Sequence, residues 1–329
     1  MKRIDLIAYG EPQDVARCVD VPDVGAPQAG EAVFEVLASP INPADLIFAR
    51  GAYALRPPLP ATPGAECVGR VIAVGAGVSN LVPGDLVVTM QRDNWVQKRR
   101  LAAEDLIPLP AGIDIRQAAM LRVNPATASL MLRDFVDLAP GEWVAQNVAN
   151  SGVGRMLIAQ ARERGLRTVN IVRRQELVDE LGALGADVCL VDGPDLPARV
   201  SAATAGAPIR LSIDAVGGAA TARMSAIAAN GGTVCLYGSM SGEEPVISRG
   251  ELVYRGVNFV GFMLGRALAQ RSRTEVLALY AEIATKVHAG LLHVPVERVY
   301  PIEEIGDALV HAERTRPGGK ILIAPNGMV

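Results

Sequence analysis

The sequence predicts an α/β protein in which a β-rich domain is followed by a doubly wound parallel sheet. Three observations carry this reading. Residues 1 to about 115 hold short apolar runs between Gly, Pro and Asn turns. Beyond them β-like and helical segments alternate, as parallel sheets require. Between the two regions, Trp143 to Arg174 reads as strand, glycine-containing turn, helix and second strand.

In the first region A-V-F-E-V-L, V-G-R-V-I-A-V and D-L-V-V-T-M read as strands, and P-G-D at 83–85 marks a turn. From Arg116 the pattern becomes helical through Q-A-A-M-L-R-V-N-P-A-T-A-S-L-M-L-R-D-F. Val144 and Ala145 then lead into a polar turn. Gly152 and Gly154 open a run with Met156, Leu157, Ile158 and Ala161 at helical spacing, and Gly165 is placed to stop it. Thr168 to Val172 form the next strand. Backbone N–H groups and the helix dipole would together hold a pyrophosphate at the helix start.

The dinucleotide fingerprint G-x-G-x-x-G is matched imperfectly. Ala149, Ser151 and Gly154 occupy its three glycine positions, and Gly154, the glycine of close helix–strand packing, is kept. An enzyme that uses NAD places an acidic residue at the end of the second strand to bind the ribose 2′-OH. This chain has Arg173 and Arg174 there. Two guanidiniums favour a 2′-phosphate, hence NADPH; the other reading is a surface arginine pair capping a strand.

The alternation continues with a helix over 177–184, the strand C-L-V, a helix in P-A-R-V-S-A-A-T and strand and turn in R-L-S-I-D-A-V-G-G. A helix in A-T-A-R-M-S-A-I-A-A, a strand in G-T-V-C-L-Y-G and a last strand in V-N-F-V-G-F-M follow. T-E-V-L-A-L-Y-A-E-I-A-T-K-V-H-A-G is an amphipathic helix stopped by Gly290. A helix in P-I-E-E-I-G-D-A-L-V-H-A-E-R and a closing strand in G-G-K-I-L-I form a tail expected to return to the first domain.

At 329 residues the chain has room for about two domains. Half of it is hydrophobic but only 4% aromatic, so both cores must be built mainly from Ala, Val, Leu and Ile. A net charge of −3 argues against a nucleic-acid or membrane-surface partner, and no apolar run approaches the roughly 18 residues of a membrane span. Cys18, Cys67, Cys189 and Cys235 are scattered, as single thiols of a reducing compartment would be. M-K-R-I-D-L-I-A-Y-G enters a strand at once, so a cytoplasmic location is expected.

V-G-A-G-V at 74–78 and L-V-P-G-D-L-V at 81–87 resemble the medium-chain dehydrogenase/reductase superfamily. Seven further stretches resemble its mitochondrial-type 2-enoyl thioester reductases. These are I-N-P-A-D at 41–45, G-A-Y-A-L-R-P at 51–57, V-N-P-A-T-A at 123–128, Q-N-V-A-N-S-G-V-G at 146–154, N-I-V-R-R at 170–174, Y-G-S-M at 237–240 and G-F-M-L at 261–264. The resemblance covers essentially the whole chain. It implies a GroES-like catalytic domain over 1–118 and 265–329, and a Rossmann NADPH-binding domain over 119–264. Zinc enzymes of the superfamily carry G-H-E where this chain has Gly64-Ala65-Glu66. His288, His293 and His311 all lie in the tail, with no cysteine at ligand spacing, so no metal is expected. Reduction of an activated double bond is then the better expectation than alcohol oxidation.

The resemblance implies NADPH-dependent reduction of trans-2-enoyl thioesters of coenzyme A or acyl carrier protein, with hydride added at Cβ and a proton at Cα. Tyr53 matches the catalytic tyrosine, and a phenol is protonated at neutral pH yet acidic enough to protonate an enolate. On the cofactor side the resemblance implies Asn124 and Thr127 beside the nicotinamide end; Asn42, also counted as cofactor-binding, shapes the Tyr53 pocket or serves the I-N-P turn. The turn Asn150, Ser151, Gly152, Val153, Gly154 would take the pyrophosphate, and Arg173 with Arg174 the 2′-phosphate. Tyr237, Gly238, Ser239, Met240, Phe262, Met263, Leu264 and Lys320 complete the set; a lysine such as Lys320 beside a closing strand is ordinarily solvated. Met263 departs from the bulky aromatic of the family, which alters the acyl pocket. Basic runs at Lys98-Arg99-Arg100 and at Arg266, Arg271 and Arg273 read as solvated faces; the second could instead grip coenzyme A phosphates or an acidic carrier. A homodimer joined through V-N-F-V-G-F-M is expected by analogy. The competing readings are a quinone or enone reductase on the same scaffold and a non-catalytic NADPH-binding protein.

Overall fold

The computed structural model describes residues 1–314 and 318–329. Contacts divide the chain into one unit of residues 1–123 and 274–329 and a second of residues 124–273. The expected junctions, after 118 and after 264, lie slightly earlier. Leu264–Ala269 packs on Asn124–Asp134, and Arg271 donates to Asp134 Oδ1 at 2.5 Å, so this segment stays with the second unit.

The second unit is a six-stranded parallel sheet. Its spatial order is Val188–Val191, Arg167–Val172, Trp143–Asn147, Ile209–Asp214, Ala228–Leu236, Asn258–Gly261. Helices Gly152–Glu163, Glu176–Ala183, Leu196–Ala203 and Gly218–Ile227 make the crossovers that parallel neighbours need. Apolar residues of the strands, among them Ala145, Val169, Ile171 and Val234, are almost wholly buried. The sequence divides there because Trp143–Asn147 has its successor Arg167–Val172 on one side and Ile209–Asp214 on the other. That reversal opens a crevice at the carboxyl ends of the strands.

The helix expected to run unbroken from Gln117 to Phe135 is two helices, Ile115–Ala118 and Asn124–Asp134. Pro125 is the reason: it lacks an N–H and is tolerated only in a first turn, so the second helix starts beside it.

In the first unit, Lys2–Leu6 and Ala16–Asp20 form an antiparallel hairpin. A larger sheet runs Val296–Pro301, Lys320–Ala324, Glu31–Pro40, Val68–Val74, Leu86–Thr89, Leu106–Pro108, and Lys98–Ala102 also pairs with Glu31–Pro40. The two tail strands thus extend a sheet begun near the amino terminus. One consequence is local: Ile41 N donates to Ile321 O at 3.0 Å, which brings Asn42 beside Lys320. No described helix is long and apolar enough to cross a membrane.

Candidate active site

In the nucleotide unit the turn after Trp143–Asn147 is tight. Val148 adopts a left-handed φ of 50°, and Ser151 N donates to Val148 O at 2.9 Å. Ser151 is then the N-cap of Gly152–Glu163, its Oγ accepting from Gly154 N at 3.1 Å. This satisfies one of the helix's free amides and leaves others to face a ligand. A Cβ on Gly154 would stand 2.4 Å from Ala149 O and 2.7 Å from its Cα, so strand and helix meet through glycine alone. Gly154→Ala is expected to cost about 1–3 kcal/mol of stability and to weaken dinucleotide binding, read by thermal unfolding and by NADPH titration.

Tyr237 to Met240 lie along the same strand ends. Tyr237 N donates to Asp214 O at 2.9 Å and Met240 N to Ala215 O at 3.1 Å. Gly238 allows this approach, since a Cβ there would stand 2.6 Å from Ala215 O. Burial pushes the Tyr237 phenol up, partly offset by the neighbouring Ser151. Asp214, fully buried, anchors the corner; it accepts from Asn147 Nδ2 at 2.6 Å, Thr221 Oγ1 at 2.6 Å and Val216 N at 2.8 Å. Neither Asp214 nor Asn147 stood out in the sequence, because their pairing spans 67 residues.

Arg173 and Arg174 follow Arg167–Val172; Arg173 is exposed, and Arg174 lies 3.7 Å from Glu176. Asn124 and Thr127 are buried at the start of Asn124–Asp134, and Asn124 Nδ2 has no hydrogen-bond partner among the described residues. A buried, unmatched donor is costly unless a ligand supplies the acceptor. Phe262 is buried edge-on to Phe135, whereas Met263 is 44% exposed. The amide turn, the paired arginines and this unmatched amide suit a phosphorylated dinucleotide.

The first unit holds a second cluster. Asn42 precedes Pro43–Ala49, and its N–H donates to Asp45 Oδ2 at 2.9 Å. Its side chain donates to Glu66 Oε1 at 2.9 Å and accepts from Lys320 Nζ. Lys320 is therefore engaged rather than solvated, and desolvation holds its amine below the usual range, against the opposing pull of Glu66 and Asp45. Asp45 and Glu66 are completely buried, and burial pushes both carboxyls up. Each is also bonded: Asp45 accepts from Ala65 N at 2.9 Å and Glu66 from Val123 N at 2.8 Å. Tyr53 follows on the loop after Pro43–Ala49, where Gly51 takes a left-handed φ of 70°. The Tyr53 ring packs on the cluster containing Phe48, with the Arg92 guanidinium 5.2 Å from its centroid.

Asp45, Glu66 and Arg92 were missed as site residues. The spacing of Asn42 and Asp45 is a helix-start signal that could have found the first. Gly64-Ala65-Glu66 was read only against zinc ligation. Nothing local announces Arg92. The basic runs are largely bonded within their own unit: Lys98 to Asp23, Arg100 to Glu31, Arg99 to Asn94, Arg266 to Gly261 O and Arg271 to Asp134. His311 is buried between Tyr300 and Glu297 at 2.9 Å from each. Among the described residues no group of three or more His, Cys, Asp or Glu is placed to hold a metal ion.

Two family patterns match, the alcohol dehydrogenase GroES-like domain over residues 28–107 and the zinc-binding dehydrogenase over 152–282. The chain is similar to the mitochondrial enoyl-[acyl-carrier-protein] reductase of Xenopus tropicalis, 33% identical over 92% of this chain and 89% of that protein. It is similar in structure to Etr1p in complex with NADP and crotonyl-CoA, with 25% identity, a TM-score of 0.87 and coverage of 98% and 99% of the two chains. The quinone oxidoreductase of Escherichia coli in complex with NADPH also has 25% identity and a TM-score of 0.87, covering 99% of this chain and 100% of that one. The fold, the nucleotide turn and the extent of the match to the mitochondrial reductases lead to one conclusion: the chain belongs to the medium-chain dehydrogenase/reductase superfamily, in its mitochondrial-type enoyl reductase branch.

Proposed function

We propose that this protein is an NADPH-dependent 2-enoyl thioester reductase in which Tyr53 donates the proton. The observation that carries this is the match to enoyl reductases over 92% of the chain, with the G-A-Y loop at 51–53 included in this protein's own sequence. NADPH, when bound, supplies the hydride. The turn Asn150 to Gly154 orients the pyrophosphate, Arg173 and Arg174 take the 2′-phosphate, and Tyr237 to Met240 line the strand ends. Asn124 offers its unmatched amide, with Thr127, Phe262, Met263 and Leu264 nearby in sequence or on the same unit. Asn42 and Lys320 complete the proposed cofactor set; Asn42 donates to Glu66 and accepts from Lys320. Hydride addition at Cβ leaves an enolate on the thioester; Tyr53 gives its proton to Cα and is reprotonated from water.

The quinone reading has one specific support, the equal fold likeness to the Escherichia coli oxidoreductase. Steady-state NADPH consumption with crotonyl-CoA and with a quinone separates the two. Saturable turnover of the thioester, with little on the quinone, is expected; the reverse ranking would transfer the assignment.

The preferred thioester carrier, coenzyme A or acyl carrier protein, follows from the same assay run with both. A homodimer is proposed through the sheet edge. Edge strand Asn258–Gly261 leaves Phe259 37% exposed, and Leu252, Val253 and Tyr254 beside it in sequence are 45%, 66% and 76% exposed. An apolar edge of this kind invites strand pairing. Phe259→Glu combined with Val253→Glu is expected to halve the mass seen by sedimentation equilibrium while the chain stays folded. Four free cysteines suit a reducing compartment, and the cytoplasm is the proposed location.

A further inference from the structure

We propose that Arg92 is a positioning residue for the proton donor, its guanidinium clamping the Tyr53 ring and facing the negative charge that the phenol acquires as it gives up its proton. The inference rests on the reading of Tyr53 as that donor.

Arg92 lies on the turn between Leu86–Thr89 and Lys98–Ala102, far from Tyr53 in sequence. Its guanidinium stands over two rings, 5.2 Å from the Tyr53 centroid and 5.4 Å from that of Phe48. Both distances are within cation–π range, and partial burial strengthens the contact: the side chain is only 22% exposed.

The turn that carries Arg92 is fixed independently. Arg99 donates to the backbone carbonyls of Arg92 and Asp93. Asn94 Nδ2 donates to Gly64 O at 3.1 Å and to Gln91 O at 2.9 Å. At the other end, Arg92 Nη2 lies 3.7 Å from Asp45 Oδ1, long for a hydrogen bond but close for a charge. Asp45 is itself locked by Asn42 N and Ala65 N. Nη2 has no hydrogen-bond partner among the described residues, so the side chain is held by charge and by the two ring faces.

A cation in this position does little for a neutral phenol beyond holding its ring. During proton transfer the Tyr53 O–H bond breaks, the enolate electrons form the new C–H bond at Cα, and the phenol oxygen becomes anionic until water reprotonates it. The fixed guanidinium then gains an attraction that it lacks in the ground state, which is the condition for accelerating a step. Charged groups close to Arg92 include Asp45, with Lys320 beyond it, which Asp45 also senses, and Asp93 and Arg99, the latter donating to the Arg92 carbonyl. Asp45 offsets part of the field of Arg92, and its main service is to hold the arginine in place.

The test is a double-mutant cycle on the full chain: wild type, Arg92→Leu, Tyr53→Phe and the combination, assayed with crotonyl-CoA and NADPH. Arg92→Leu is expected to lower kcat about tenfold, with the KM for crotonyl-CoA and the NADPH dissociation constant little changed. The combined variant is expected to be no slower than Tyr53→Phe alone, because the arginine acts through the phenol. Arg92→Lys, which keeps the charge, should recover part of the loss. If Arg92→Leu does not fold, Arg92→Gln, which keeps length and polarity, enters the cycle in its place. A wild-type kcat in the Arg92 variant overturns the proposal, and so do losses that multiply in the combination. A fully active Tyr53→Phe enzyme overturns the donor reading first and this one with it; an impaired Tyr53→Phe beside an unimpaired Arg92→Leu removes this one alone.

Discussion

Tyr53→Phe is expected to lower kcat for crotonyl-CoA reduction by about 10² to 10⁴-fold, the usual contribution of a positioned general acid. The substitution removes one oxygen and keeps the ring, which packs on the cluster holding Ile4, Leu6, Phe48 and Trp95. The ring also keeps its place under Arg92. No described residue bonds the Tyr53 hydroxyl, so its loss orphans no buried partner, and the stability change should stay within about 0.5 kcal/mol. NADPH affinity should be unchanged, because Tyr53 is not among the residues assigned to the cofactor. Loss of kcat with intact folding and intact NADPH binding assigns the effect to proton transfer. It is measured by steady-state kinetics, thermal unfolding and fluorescence titration on the same preparation.

The second large effect is expected at the cofactor's 2′-phosphate. Arg173→Ala with Arg174→Ala should weaken NADPH binding by about 10² to 10³-fold, since hydrogen bonds to a charged group contribute about 1.5–3 kcal/mol each. NADH binding should hardly change, because NADH has no phosphate there. The selectivity of the effect is the informative part. A fold defect would weaken both cofactors together, whereas loss of a phosphate clamp weakens one. Arg174 must first give up Glu176 at 3.7 Å; that carboxylate is largely exposed, so the exchange costs little. Comparative titration with the two cofactors checks the prediction.

The nucleotide half was legible because its signals are local. Strand, turn and helix between Trp143 and Val172 are encoded within one short stretch, and Gly154 sits where only a glycine fits against Ala149. The alternation that follows was readable for the same reason: each crossover helix is bounded by its own glycines, and Gly165 ends the first with φ 70°. The role proposed for Tyr53 rests on resemblance alone, since a loop tyrosine has no periodicity to betray it. The break between Ile115–Ala118 and Asn124–Asp134 was hidden by an apolar run that continues straight through it; Pro125 was the available sign.

What escaped reading was the cluster that tertiary pairing assembles. Asn42 and Glu66 meet across strand and loop, and Lys320 arrives from the closing strand 278 residues away. A lysine there reads as solvated until the pairing of Ile41 with Ile321 draws it inward. Arg92 is the extreme case. It stands in a polar turn, Gln91-Arg92-Asp93-Asn94, whose composition says only that the chain reverses. Its contact with Tyr53 exists because Gly64, Asn94 and Arg99 fix the turn against the rest of the sheet.

The most direct test of the central claim is to reduce crotonyl-CoA with NADPH in deuterated water and to locate the label in the product by mass spectrometry and NMR. Hydride addition at Cβ and protonation at Cα from an exchangeable phenol predict butyryl-CoA with one deuterium at Cα and none at Cβ. Recovery of unreduced crotonyl-CoA, or deuterium delivered to Cβ, would contradict the account.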